Sequence, residues 1–191
     1  MSLLDDRRKW NQRYGETLAL GAAKPEPHPL ALRWASRMTG GRMLDAACGL
    51  GRGVAAVGQR FDSVYAVDLS ELALGAARRM WEGRPVRWIA ADVTALAWPE
   101  DFFALVCAFA FTDLPFFRRL RSSIRPGGMF LYEGFSRRQL ELRPEMNPAW
   151  TATEAEVAGV FAGWTILEKG ETAEPPFRTW IAATRPAPLE R

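Results

Sequence analysis

The chain has 191 residues, 48% hydrophobic and 25% charged, which suits one globular domain with a full core and excludes a disordered or fibrous protein. A formal net charge of +3 is too small to argue for nucleic acid or an anionic membrane as partner. The opening MSLLDDRRKW places charges where a secretory signal needs an apolar core, and no apolar run nears the roughly 18–20 residues that span a bilayer, so the expected location is the cytoplasm.

Ser2 to Tyr14 carries Leu3, Leu4, Trp10 and Tyr14 among charges and predicts a short amphipathic helix. Three prolines in AAKPEPHPLALRW then predict an extended segment before a helix over Leu30–Met38, stopped by Gly40 and Gly41. From Arg42 onward, strand-like and helix-like stretches alternate. Strands are predicted at Met43–Cys48, Ser63–Ser70, Pro85–Asp92, Phe102–Phe111 and Gly128–Phe135. Helices are predicted at Arg52–Gln59, Glu71–Trp81 (capped by Ser70) and Pro115–Ile124. This order indicates βαβ units and a parallel sheet covered on both faces. Gln139–Pro148 reads as a loop. Thr151–Phe161 reads as a helix with Thr151 and Glu154 at capping-box spacing, and Trp164–Glu171 and Phe177–Arg185 as a closing strand pair, plausibly antiparallel. Cys48 and Cys107 have no metal-ligand spacing and read as two buried core residues; no metal is expected.

The informative stretch is Leu44-Asp45-Ala46-Ala47-Cys48-Gly49-Leu50-Gly51-Arg52-Gly53. Small residues between strand and helix let the backbone turn sharply and a ligand approach the main chain. A G-x-G-x-x-G dinucleotide loop would need glycine where Val54 stands, and the lysine and hydroxyl of a P-loop are missing. Asp45, Asp68 and Asp92 instead end three successive strands on one rim of the sheet. Asp68 suits the two hydroxyls of a ribose, and Asp92 an exocyclic amino group such as that of adenine. A rim rich in acid and a loop without lysine favour a cationic adenosine derivative over a nucleoside triphosphate.

LDAACGLGRG, AVDLS, AADV and RPGGMFLYEGF resemble the successive motifs of class I S-adenosylmethionine-dependent methyltransferases, from about Met43 to Phe135 and more loosely to Thr184. The resemblance implies a single Rossmann-like α/β domain over residues 42–185, with a seven-stranded, mostly parallel sheet, helices on both faces and the last strand antiparallel. Residues 1–41 would form N-terminal helices and a lid segment. S-adenosylmethionine is the implied cofactor. Ala47, Gly49 and Gly51 would lie under its methionine part with Asp45 near its amino group. Asp68 would hold the ribose, and Asp92 with Val93 the adenine; Cys48, Leu69 and Phe109 complete the implied contacts. DRRKWNQRY, PEPHP, CGLGRG and FLYEGFSRRQL are also similar to the tellurite-resistance and thiopurine methyltransferase-like group, whose members methylate chalcogens or small soft nucleophiles.

Methyl transfer from a sulfonium is an in-line displacement that orientation and desolvation can drive without a general base. The acceptor pocket is expected after the fourth and fifth strands, from Phe109, Phe111, Thr112, Asp113, Tyr132, Glu133 and Phe135. Tyr132 and Glu133, at the strand end, could orient or deprotonate an acceptor, with a solvated rim as the structural alternative. Phe109 and Phe111 could face the sulfonium or simply pack one face of the strand. Trp10, Tyr14 and His28 could form the lid, and His28, between two prolines in an expected exposed segment, is a candidate base. Phe109-Ala110-Phe111-Thr112-Asp113 lacks the [D/N/S]-P-P-[Y/F] pattern of base amino-methylation, and Arg118, Arg119, Arg121 and Arg125 read as a solvated helix face. The expected partner is therefore a small-molecule acceptor, without nucleic acid or membrane, for a monomer or homodimer. Rival readings are a cofactor-binding or regulatory module without turnover, an aminopropyl transferase and an NAD-linked oxidoreductase. Val54 and the lack of a Tyr-x-x-x-Lys pair argue against the last.

Overall fold

The computed structural model describes residues 3–21 and 23–187; Ser2, the expected first residue of the opening helix, lies outside them. Contacts divide the chain into two compact units, one running to Ala97 and the other beginning at Trp98.

The first unit opens with α1 (Leu3–Ala19), which runs five residues beyond the expected end at Tyr14. Gly15 costs a helix about 1 kcal/mol relative to alanine. The bonds Gln12 Nε2 to Glu16 and Thr17 Oγ1 to the Arg13 carbonyl span that position, and Leu72 packs against it. α2 (Pro29–Trp34) starts on a proline, whose missing N–H costs nothing in a first turn, and tightens into a 3₁₀ turn over Ala35–Arg37. Three parallel strands follow: β1 (Arg42–Ala46), β2 (Ser63–Asp68) and β3 (Val86–Ala90), in the order β3-β2-β1. α3 (Arg52–Val57) and α4 (Glu71–Met80) make the crossovers. Ser70 caps α4 as expected, its hydroxyl accepting from the Ala73 N–H at 3.2 Å. β1 is buried from Met43 onward, as a strand covered on both faces must be.

The second unit holds β4 (Phe103–Phe109), α5 (Leu114–Leu120), β5 (Ile124–Ser136) and α6 (Gln139–Leu142). β6 (Thr151–Ala152), α7 (Glu154–Val160), β7 (Thr165–Glu171) and β8 (Arg178–Thr184) complete it. Its strand order is β4-β5-β8-β7, with β6 on β5. β4 and β6 lie parallel to β5, whereas β8 runs antiparallel to both β5 and β7. The core is aromatic: Phe117 lies 5.1 Å from Phe130 and 5.5 Å from Tyr132, and Phe130 stacks at 4.4 Å on Phe161.

The mostly parallel α/β class is as expected, but three local expectations change. β5 begins at Ile124, so Pro126-Gly127-Gly128 lies within it and not ahead of it. Gln139–Pro148, expected as loop, contains α6, seated because the Gln139 Oε1 accepts from the Phe177 N–H at 2.8 Å. The capping box is Thr153 with Glu156, two residues beyond the expected pair. Both pairs have the required spacing, but Thr151 and Ala152 are taken by pairing with Phe135 and Ser136 as an eighth strand. A Thr153→Ala chain is expected to lose about 1 kcal/mol, read as a melting temperature roughly 2–4 °C lower.

Candidate functional site

β1 ends where Ala47 takes φ 52°, and the chain turns through Gly49 (φ 53°) and Gly51 (φ 86°) into α3. Two close approaches require glycine here. A Cβ on Gly49 would strike the Tyr14 hydroxyl from α1. A Cβ on Gly51 would stand 2.9 Å from the Trp81 Nε1 and 3.3 Å from the Trp88 ring.

Of the three acids Asp68 is the last residue of its strand, whereas Asp45 lies one residue before the end of β1 and Asp92 two residues beyond β3. In the β1–β2 ladder Asp45 lies opposite Ala66, two residues short of Asp68, and Asp68 in turn lies opposite Ala90, two short of Asp92. Asp45 is 2% exposed; its Oδ2 accepts from the Val54 N–H at 3.1 Å in the first turn of α3. Burial is the main reason its carboxyl is pushed up to about 7, with the Asp68 charge adding and the Val54 and Gly53 N–H groups opposing. Asp68 is buried too. Its Oδ2 accepts from the Gly49 N–H and its Oδ1 from the Ser70 N–H, both at 2.8 Å, and burial raises its pKa. Asp92 is half-buried, and its Oδ1 takes the N–H and the hydroxyl of Thr94. Val93 is buried, Leu69 half-buried and Ala47 half-buried. Cys48 is a buried free thiol, raised well above its ordinary pKa by burial and by Asp45 and Asp68.

Asp45, Cys48, Gly49 and Asp68 are thus brought together around one turn, with Tyr14 beside them. The same burial and the Asp68 charge push the Tyr14 phenol above its usual range, so it stays a neutral donor. Gly53 backs the Asp45 carboxylate so closely that a Cβ there would lie 2.6 Å from Oδ2 and 2.9 Å from Oδ1. An alanine in a helix ordinarily gains about 1 kcal/mol over glycine, but overpacking a buried site costs about 1–3 kcal/mol. The clash should win, and a Gly53→Ala chain is expected to melt at lower temperature than the wild type.

The cations nearest the loop are committed to the chain itself. Arg84 Nη1 donates to the Val54 carbonyl at 2.8 Å, and its guanidinium lies 4.7 Å from the Trp81 ring centroid, with Lys24 at 5.2 Å from the same ring. Arg52 Nε donates to the Glu26 carbonyl at 3.1 Å. A group with the shape of an adenosine and a positive charge fits this donor set. Asp68 Oδ2 accepts from Gly49 and Oδ1 from Ser70, and a carboxylate's remaining lone pairs suit ribose hydroxyls.

His28, expected in an exposed segment, is 1% exposed. Its N–H donates to the Arg52 carbonyl at 3.3 Å, strapping the proline-flanked segment to the start of α3 and drawing the side chain inward.

In the second unit Tyr132 is fully buried, four residues inside the end of β5, so the solvated-rim alternative is overturned for it. Its hydroxyl shares a 2.9 Å hydrogen bond with the Thr112 Oγ1, and burial pushes its phenol up to about 12. Glu133 is half-buried, 3.7 Å from the Arg178 Nη1, and pairs in register with the half-buried Phe109. Phe111 packs edge-on against Phe116 and Phe117, and Asp113 caps α5 through the Phe116 N–H. Arg118, Arg119 and Arg125 are exposed, as a solvated face should be, whereas Arg121 donates to the Ala162 carbonyl at 2.8 Å.

Residues 43–128 match the family model of a methyltransferase domain. The chain has the class I methyltransferase fold. It is similar to a putative methyltransferase from Bacillus halodurans C-125 at 15% identity and a TM-score of 0.68, over 82% of this chain and 97% of that one. It is similar to a geranyl diphosphate methyltransferase in complex with S-adenosylmethionine at 16% identity and a TM-score of 0.62, over 81% and 82%. A Leishmania major S-adenosylmethionine-dependent methyltransferase matches at 17% identity and a TM-score of 0.60 over 78% of this chain, which spans 65% of that protein's length. No curated protein sequence matches the chain.

Sequence reasoning missed three neighbours of the site in the first unit: Trp81 and Trp88 beside Gly51 of the turn, and Asn11, which accepts from the Ser70 hydroxyl at the start of α4. Their contacts cross long sequence separations, and only the helical spacing of Asn11 from the aromatic Tyr14 hinted at one of them. Among the described residues no helix is long and apolar enough to cross a membrane, and no cluster of three or more His, Cys, Asp or Glu could hold a metal.

Proposed function

We propose that this chain binds S-adenosylmethionine and transfers its methyl group to a small, soft nucleophile, a thiol or a chalcogen oxyanion. The observation that carries the cofactor assignment is the Asp68 carboxylate anchored on the Gly49 N–H, with the buried Asp45 beside it at the same turn. Asp68 takes the ribose, and Asp92 and Val93 the adenine, with Leu69 beside them. Ala47, Cys48, Gly49 and Gly51 lie under the methionine part, with Asp45 near its ammonium. The family match runs from residue 43 into the second unit as far as residue 128, and we take residues 42–185 to work as one methyltransferase domain with residues 1–41 as its N-terminal part. We assign the protein to the cytoplasm, as a monomer or homodimer that acts without nucleic acid.

The cofactor supplies a methyl on an electron-poor sulfonium, open to in-line attack. The chain's part is orientation and exclusion of water. What supports a soft acceptor is that the candidate proton-handling groups are held within the chain. The Tyr132 phenol is raised to about 12 and bonded to Thr112, Glu133 faces Arg178, and His28 is buried. A thiolate or a tellurite or selenite lone pair needs no proton removed at the moment of attack. An alcohol does, and an amine must first lose the proton it carries at neutral pH.

The test is release of S-adenosylhomocysteine on mixing with a thiol, selenite, tellurite, an amine and an alcohol in turn. Turnover on the first three classes and not the last two is expected. Turnover confined to an amine or alcohol would overturn the acceptor assignment. The same commitment of Tyr132, Glu133 and His28 favours, as a second reading, a cofactor-binding module without turnover, recognised by tight cofactor binding with no product from any acceptor.

A further inference from the structure

In the second unit Tyr132 turns its ring toward Phe117 of α5, so Glu133 and Phe135 point to the opposite face of β5. Glu133 pairs with Phe109 of β4 and with Trp180 of β8, and Phe135 pairs with Arg178, which places all five side chains on that one face. All five are half-buried. One step back along the same face, Cys107, Leu131 and Ala182 are 0% exposed. The cover over this face therefore stops short of the carboxyl ends of β4 and β5. It leaves a recess whose floor carries a charge pair among aromatic rings.

Arg178 is the fixed member of that pair. Its N–H donates to the Thr172 Oγ1 at 2.9 Å, and its guanidinium stacks 4.6 Å from the Phe135 ring centroid. Glu133 Oε1 stands 3.7 Å from the Arg178 Nη1, too far for a hydrogen bond, and the guanidinium donates none to a described residue. Trp180 is held as firmly. Its indole N–H donates to the Glu168 Oε1 at 3.1 Å, and its ring lies over Gly170, where a Cβ would come within 2.5 Å of it.

We propose that this recess binds the methyl acceptor as a zwitterion, an α-amino acid bearing a thiol, with its carboxylate on Arg178 and its ammonium on Glu133. The inference rests on the reading of the chain as a methyltransferase acting on a soft nucleophile, and narrows it. A guanidinium fork takes a carboxylate through two parallel N–H···O bonds. Charge balance selects the zwitterion. A purely anionic acceptor that drew Arg178 away would part the half-buried Glu133 from the cation facing it and set two carboxylates side by side. A purely cationic one would do the reverse to Arg178. A zwitterion gives each member of the loose pair an opposite charge, and the rings of Phe109, Phe135 and Trp180 offer faces to the ammonium and the apolar stem. In the transfer itself the thiol has given its proton to water. The sulfur lone pair forms the new S–CH3 bond, and the electron pair of the breaking sulfonium–methyl bond stays on the departing S-adenosylhomocysteine.

The experiment supplies the full chain with S-adenosylmethionine and four thiols: cysteine, 3-mercaptopropionate (carboxylate only), cysteamine (ammonium only) and 2-mercaptoethanol (neither). Release of S-adenosylhomocysteine is followed, with rates normalised to the thiolate fraction of each acceptor. In the wild type kcat/KM for cysteine should exceed that for each of the others at least about tenfold, with the difference lying in KM. Arg178→Gln and Glu133→Gln, each first shown to melt cooperatively, should lose most of the advantage of cysteine over 2-mercaptoethanol. Preference should also swap: Arg178→Gln toward cysteamine and Glu133→Gln toward 3-mercaptopropionate, an exchange that a merely structural role would not produce. Arg178→Lys keeps the charge without the fork and should retain part of the advantage. Cysteine used no better than 2-mercaptoethanol by the wild type, a wild-type preference for either singly charged thiol, or an unchanged cysteine advantage in Arg178→Gln would each overturn the proposal while leaving the methyltransferase reading standing. Wild-type protein that releases no S-adenosylhomocysteine with any of the four would remove the thiol-acceptor reading itself, and the proposal with it.

Discussion

An Asp68→Ala chain is expected to bind S-adenosylhomocysteine at least about a hundredfold more weakly than the wild type, since charged hydrogen bonds are each worth about 1.5–3 kcal/mol. Two losses combine. The proposed ribose contacts disappear, and the Gly49 and Ser70 N–H groups, both at buried positions, lose the carboxylate that fixes the turn. An alanine cannot replace either acceptor, so the glycine turn should loosen and the melting temperature fall as well. Asp68→Asn separates the two effects, because it keeps one accepting oxygen and nearly the same volume but turns an NH₂ toward a backbone donor. Calorimetry on both variants checks the expectation; an Asp68→Ala chain that binds within threefold of wild type would place the ribose elsewhere.

The second large effect is on stability against pH. Asp45 has a folded pKa of about 7, against 3.8 for the ordinary carboxyl, because burial disfavours its charged form. A raised carboxyl pKa means that the folded state binds the proton more tightly than the unfolded chain. Stability is therefore greatest when the group is protonated in both states. It falls as pH rises through the window between the two values and levels off above the folded pKa. Across about pH 5.5 to 7.5 the loss amounts to roughly 2 kcal/mol, or a melting temperature roughly 4–8 °C lower at the alkaline end. Asp68, also raised by burial, acts in the same direction. Glu156, lowered by its Arg137 partner, has the opposite sign, but its contribution is lost only as pH falls through its own depressed value, below this window. Melting curves of wild type and Asp45→Asn over that range decide the matter. The variant should show a clearly shallower slope; equal slopes would mean that Asp45 is not the group responsible.

The parts of the molecule legible in the sequence are those where local pattern and tertiary demand agree. β1 reads as a buried run because both its faces are covered, and Ser70 reads as a cap because its hydroxyl bonds within its own helix. The glycine turn is legible because positive φ and the close approaches at Gly49 and Gly51 require glycine at fixed offsets. Legibility fails where a distant partner decides. Thr151 and Thr153 both fit a capping box, and only the pairing of Thr151–Ala152 with β5 selects the second. His28 looks exposed between two prolines, yet a bond to the Arg52 carbonyl holds that segment against α3. Tyr132 reads as a rim residue because nothing local reveals that its ring packs on Phe117 or that Thr112 waits for its hydroxyl. The contacts of Tyr14 and Trp81 with the glycine turn are equally invisible, since they join residues more than thirty positions apart.

The account stands on the glycine turn being a site for an adenosine sulfonium and not for a phosphate-bearing nucleotide. The most direct test is calorimetric titration of the purified chain with S-adenosylmethionine, S-adenosylhomocysteine, NAD and ATP. Saturable binding of the first two, at about micromolar dissociation constants, with none for NAD or ATP, is the predicted result. Binding of NAD or ATP in preference to both sulfur ligands would contradict it.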